Sequence, residues 1–102
     1  GGEKAGAITC MAVVDGSLFT GSEDATIRAW AVESGDCLQM YVGSLNGISS
    51  LCVLPALGLL CSAAADLRLW DLHEGSVLGV LHWQRAERLL TVAGREERSG
   101  GG

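Results

Sequence analysis

The segments around Trp30 and Trp70 repeat one another. The two tryptophans stand 40 positions apart, and Gly21-Ser22-Glu23-Asp24-Ala25-Thr26-Ile27-Arg28-Ala29-Trp30-Ala31-Val32 aligns without a gap on Cys61-Ser62-Ala63-Ala64-Ala65-Asp66-Leu67-Arg68-Leu69-Trp70-Asp71-Leu72. A fixed period of this size marks a repeat architecture, in which one supersecondary unit cannot bury its apolar faces alone and packs on its neighbours. It constrains the scaffold and leaves open what the scaffold holds.

Each period divides into four short β segments. Ile8 to Val14 is an apolar run of strand length, closed by Asp15-Gly16, a strong turn signal. Leu18-Phe19-Thr20 continues the pattern, Glu23-Asp24-Ala25 reads as a tight turn, and Thr26 to Ala31 is β-rich. Glu33 to Asp36 turns again and Cys37 to Val42 is a fourth strand. The unit then restarts with Ile48 to Leu54, a turn over Pro55 to Gly58, Leu59 to Ser62, Leu67 to Leu72, a turn over His73 to Gly75, and Val77 to Leu81. This spacing predicts an all-β chain. Alternation within the strands is poor. Ile8, Met11, Ala12, Val13 and Val14, or Leu51, Cys52, Val53 and Leu54, are apolar on both faces, as expected of sheets covered on both sides.

The chain has 102 residues, enough for one domain or a piece of one, and would bury roughly 60–65% of its surface on folding. Its formal net charge is −5, and Lys4, Arg28 and Arg68 are the only basic residues before position 85. An acidic body without a basic stripe argues against direct nucleic-acid binding. No run of eighteen apolar residues is present, so no membrane-spanning helix is expected, and no signal peptide is evident at the start. Cys10, Cys37, Cys52 and Cys61 form no CxxC pair; they are expected as buried thiols, which fits an intracellular location, cytoplasmic or nuclear.

The pattern Ser22-x-Asp24-x3-Arg28-x-Trp30, the four-strand unit and the forty-residue period resemble the WD-repeat β-propeller family, in which repeats of about 40–45 residues form four-stranded blades. Trp70-Asp71 is the signature dipeptide as written, and Trp30-Ala31 is its degenerate counterpart. The resemblance covers about residues 7–82. It implies an all-β fold of two WD-type blades, incomplete as a single chain: residues 1–6 as a frayed N-terminus, 7–46 as the first repeat, 47–82 as the second, and 83–102 as a tail that is a short helix or disordered. The family wires each blade with a His, a Ser or Thr, an Asp and the Trp. The resemblance therefore implies a structural network of Ser22, Asp24 and Trp30 in the first repeat and of Ser62 and Trp70 in the second. Near Lys4 there is no His, Ala64 replaces the second Asp, and Ser44 follows Gly43 where Gly-His is expected. The second blade is thus expected to be held by packing rather than by a full network.

Propellers have roughly four to eight blades, and at least about three repeat units are usually needed for stability. Two blades leave two broad apolar faces open. The chain is expected to be a fragment, a shortened product, or a protomer that self-associates to cover those faces.

Nothing in the sequence points to catalysis. Ser62, Asp66, Asp71, His73 and His82 have no triad spacing, and no Gly-x-Ser-x-Gly elbow occurs. Cys61, His73 and His82 lack the knuckle-type pair of a zinc site, so no metal or cofactor is expected. The expected role is a non-catalytic interaction scaffold or adaptor whose partners are other proteins or peptides. The alternative is a propeller segment of a multidomain enzyme or of a nucleic-acid-associated complex whose active domain lies outside these residues. The expected partner surface is a propeller rim formed by Glu23, Asp24 and Ala25, by Ser44, Leu45, Asn46 and Gly47, and by Ala63 to Ala65. Arg28 and Arg68, at the same repeat position, would serve either as salt-bridging strand residues or as contacts to an acidic or phosphorylated peptide.

Overall fold

The computed structural model describes residues 6–81, which form eight strands. The expected helix or disorder of the 83–102 tail, the fraying of residues 1–5 and His82 lie outside the described residues. The first sheet has the order β1 (Ile8–Val14), β2 (Ser17–Ser22), β3 (Ile27–Ala31), β4 (Cys37–Tyr41); the second has β5 (Ser50–Leu54), β6 (Leu59–Ala63), β7 (Leu67–Asp71), β8 (Val77–Leu81). Every neighbouring pair is antiparallel. These are two four-stranded blades of the propeller type.

Local chemistry sets the hairpins. Asp15 and Gly16 both have positive φ, 47° and 76°, the backbone a two-residue turn needs to match the twist of its strands. Pro55 starts a single 3-10 turn over Pro55–Leu57, and Gly58 leaves it in the left-handed region at φ 66°. Asp71 closes the β7–β8 turn by accepting from the N–H groups of His73 and Glu74, at 3.0 and 2.9 Å.

The repeat has a gap that the sequence alignment lacks. Leu18 faces Trp30 in the first blade and Leu60 faces Trp70 in the second. β3 and β7 therefore keep the 40-residue offset, while β6 comes two residues later than that offset would put it. The β2–β3 loop is correspondingly tighter in the second blade.

The core lies between the two sheets. Phe19, Ile27, Ala29 and Tyr41 of the first blade pack against Leu60 and Trp70 of the second, together with Ile48 of the linker. The rings of Phe19 and Tyr41 are 6.4 Å apart, and Tyr41 meets Trp70 edge to face at 6.0 Å and 81°. Among the described residues only these inner faces are covered. Met11 and Val13 are each 67% exposed on the far side of β1, so the expected cover on both faces of each sheet is not found among the described residues. The expectation of buried thiols is corrected as well. All four cysteines are free, Cys37 and Cys52 are exposed, and Cys10 and Cys61 are only half-buried, because the strand faces they occupy are open or lie at an edge.

Candidate functional site: a loop rim and the clamps behind it

The β2–β3 turn and the loop that joins the blades meet at one end of the sheets. Ser22 anchors both: its carbonyl accepts from Ala25 N–H at 3.2 Å and from Ile48 N–H at 2.9 Å. A Cβ added to Gly47 would sit 3.1 Å from the Glu23 carbonyl oxygen, so the linker lies directly against the turn. Glu23, Asp24, Leu45 and Asn46 are exposed on this rim, Leu45 at 81%. Ser44 holds the linker loop by donating to the Asn46 carbonyl at 3.0 Å. The rim thus brings Glu23, Asp24, Ser44, Leu45 and Asn46 together. Ala63 adjoins them through the bond from Ser49 N–H to its carbonyl, 2.7 Å.

Asp24 serves its own turn. It accepts from the hydroxyl and the N–H of Thr26, and these two bonds, the hydroxyl first, hold its carboxyl below the ordinary carboxylate value. The Ser22 hydroxyl accepts from Asp24 N–H at 3.2 Å. Arg28 donates to the Thr26 hydroxyl at 3.0 Å and stands 4.0 Å from Asp24.

Arg68 holds the same strand position as Arg28 but makes different contacts. Its Nε and Nη2 donate to the two carboxylate oxygens of Asp66 at 3.1 and 3.3 Å, and its Nη1 donates to the Gly43 carbonyl at 2.7 Å. The fork ties β7 to the linker leaving the first blade, with only 11% of the side chain exposed. Three of its five N–H donors are used within the chain.

The tryptophans are wired alike through unlike positions. Trp70 Nε1 donates to Ser62 Oγ at 2.9 Å, and Trp30 Nε1 donates to Thr20 Oγ1 at 3.0 Å. Thr20, not Ser22, is therefore the counterpart of Ser62, as the two-residue shift of β6 requires. Nothing in the gap-free alignment singles out Thr20; its presence on β2, on the face that carries the indole, is the only signal for it. Two further clamps carry no sequence signal. Tyr41 donates its hydroxyl to the Leu72 carbonyl at 2.6 Å, and Gln39 Nε2 donates to the His73 carbonyl at 2.8 Å. Both cross between the blades at the opposite end from the rim. Burial raises the Tyr41 phenol above its ordinary value, with the Asp71 charge adding to it.

The polar residues weighed as a nucleophile set are dispersed. Ser62 is buried under Trp70, Asp66 is held by Arg68, and Asp71 is turned toward its own loop. Among the described residues no group of three or more His, Cys, Asp or Glu converges on a metal-sized site. No helix among the described residues is long and apolar enough to cross a membrane.

No family model matches the chain. Among curated proteins it is 34% identical over 78 residues to an uncharacterized WD repeat-containing protein of Schizosaccharomyces pombe, covering 68% of this chain and 21% of that protein. It is 32% identical over 108 residues to the nuclear distribution protein nudF of Aspergillus niger, covering 88% of this chain and 24% of that one. Among solved structures, the WD40 β-propeller domain of Doa1 superimposes with a TM-score of 0.69 at 28% identity, covering 74% of this chain and 26% of the domain. The chain spans about a fifth to a quarter of the length of these proteins.

Proposed function

Because the chain belongs to the WD-repeat β-propeller family, we propose that it acts as a non-catalytic protein–protein interaction surface in an intracellular setting, with its loop rim as the contact. The observation that carries this is Leu45: a large apolar side chain, 81% exposed, on a loop braced by Ser44, by Gly47 against Glu23 and by Arg68 from behind. An exposed apolar anchor on a rigid loop, flanked by the polar Glu23 and Asn46, supplies both parts of a protein contact: a group to bury and a polar margin that sets orientation. The expected partner is a peptide or domain that offers an apolar pocket to Leu45 and donors to Glu23. The four free thiols support the intracellular setting.

The test is peptide-display selection on the full chain. Enriched peptides should bind the Leu45→Asp variant at least about tenfold more weakly, roughly 1.4 kcal/mol. They should bind Glu33→Lys, in an exposed turn at the other end of the sheets, as they bind the parent. Failure to enrich any peptide, or equal loss in both variants, contradicts the proposal.

A further inference from the structure

The two blades meet through unlike faces. Blade 1 contributes Phe19, Ile27, Ala29 and Tyr41, and blade 2 contributes Leu60 and Trp70, with β1 packed on β5. The strand register shows what each blade holds at the other's contact positions. In blade 1, the places of Leu60 and Trp70 are taken by Leu18 and Trp30, and the places of Leu51 and Val53 by Met11 and Val13. These residues form the open face of blade 1, around an apolar recess of about 400 Å³ beside Trp30. In blade 2, the places of Phe19, Ile27, Ala29 and Tyr41 are taken by Cys61, Leu67, Leu69 and Leu81. They form the open face of blade 2, around an apolar recess of about 280 Å³. Each open face is thus equivalent to one half of the contact already made inside the chain.

We propose that a second copy of this chain covers these faces head to tail, its Trp30 face seated on the Leu69 face of the first. The contact continues the intrachain interface by the same rotation. It is heterologous, using two different patches, so repeated application closes a ring or runs on as a filament. A closed ring of two-blade protomers has an even number of blades. The polar inventory permits the contact. The interblade donors Gln39 and Tyr41 have Gly79 and Leu81 as their counterparts, so the junction adds no amide or hydroxyl of that kind, and Arg28, on the Trp30 face, keeps Thr26 and Asp24 as its partners. The Trp30 indole is already satisfied by Thr20. The copy-to-copy contact lacks those two hydrogen bonds and is held by apolar burial, which makes it weaker than the contact within the chain. The proposal rests on the blade packing and is independent of the role assigned to the rim.

The test uses the full chain and two variants at exposed strand positions. Met11→Glu with Val13→Glu charges the Trp30 face; Cys52→Glu with Leu54→Glu charges the other. By light scattering after size exclusion, the parent is expected as a β-rich species of two or more protomers. Each variant alone is expected as a monomer, and an equimolar mixture of the two as a dimer, because each keeps the face the other has lost. A monomeric parent, a Cys52→Glu/Leu54→Glu variant that still assembles, or a mixture that stays monomeric overturns the proposal. Should either variant fail to fold, photo-methionine incorporated at Met11 of the parent gives the same answer, with isotopically mixed copies separating contacts between chains from contacts within one. Cross-links from Met11 to β5 or β6 of another copy support the proposal. Cross-links to β1 of another copy, to residues 82–102 of its own chain, or to nothing beyond its own blades overturn it.

Discussion

Trp70 donates its indole N–H to Ser62 across 2.9 Å, and both residues are buried between the two blades. Trp30 makes the same bond to Thr20, but on the face of its blade that packs on no other sheet among the described residues. One motif therefore has two energetic weights in this chain. Trp70→Ala should cost about 3–5 kcal/mol, and Trp30→Ala less, about 1–2 kcal/mol, since that ring is only partly buried. Ser62→Ala should cost about 1–3 kcal/mol by leaving a buried indole without an acceptor, while Ser62→Thr, which restores the acceptor found in blade 1, should recover most of it. Urea unfolding of the variants checks the order. Equal losses for the two tryptophans would mean that both faces are covered or neither is.

The Arg68 clamp should matter as a unit. Arg68→Ala removes three hydrogen bonds and leaves the largely buried Asp66 carboxylate unpaired, which should cost about 2–3 kcal/mol. Arg68→Lys should keep less than half of the stabilisation, because an ammonium cannot span Asp66 and Gly43 as a fork does. Removing Asp66 and Arg68 together should cost less than the sum of the single losses, as measured in a double-mutant cycle.

Ala25 gives a prediction of opposite sign. It holds φ 73°, a left-handed conformation that costs an L-residue about 1–2 kcal/mol and glycine almost nothing. Ala25→Gly should therefore stabilise the chain, by up to about 1 kcal/mol, as a raised midpoint in chemical denaturation. A lowered midpoint would show that the turn does not hold this backbone in solution.

Much of the fold is legible in the sequence because it is local. Asp15-Gly16 announces its turn by composition, and the tryptophan period announces the blade. Register is not local. The separation between paired positions is two residues shorter from β6 to β7 than from β2 to β3, which leaves Ser62 in the place of Thr20, and an alignment anchored on the tryptophans hides that shift by matching Ser62 to Ser22. Burial is not local either. Trp30 and Trp70 have similar flanking residues, and only the identity of the neighbouring blade separates them. The same holds for Arg28 and Arg68: one bonds within its own turn, the other reaches the linker of the preceding blade. Leu45 could be named as a rim residue from its loop position, whereas Tyr41 and Gln39 bond across a distance that the chain order does not reveal.

Acid should weaken the fold through its turns. The N–H groups of Glu74 and His73 hold the Asp71 carboxyl below its ordinary value, and Thr26 does the same for Asp24. A carboxylate lowered on folding contributes stability that is fully present above its unfolded value, about 4, and is lost as pH falls through the folded value. Thermal midpoints should hold steady from about pH 7 to 5 and fall below about pH 4. Asp71→Asn should start lower at neutral pH and fall less steeply in acid.

The most direct test is hydrogen exchange at the indole nitrogens, followed by NMR with Trp→Phe variants to assign the signals. The account predicts that Trp70 Nε1–H, enclosed between two blades, exchanges only through cooperative unfolding. Under conditions that keep the chain monomeric, Trp30 Nε1–H, on the open face, should exchange much faster through local opening. Equal exchange of the two indoles in the folded monomer would contradict the two-blade arrangement.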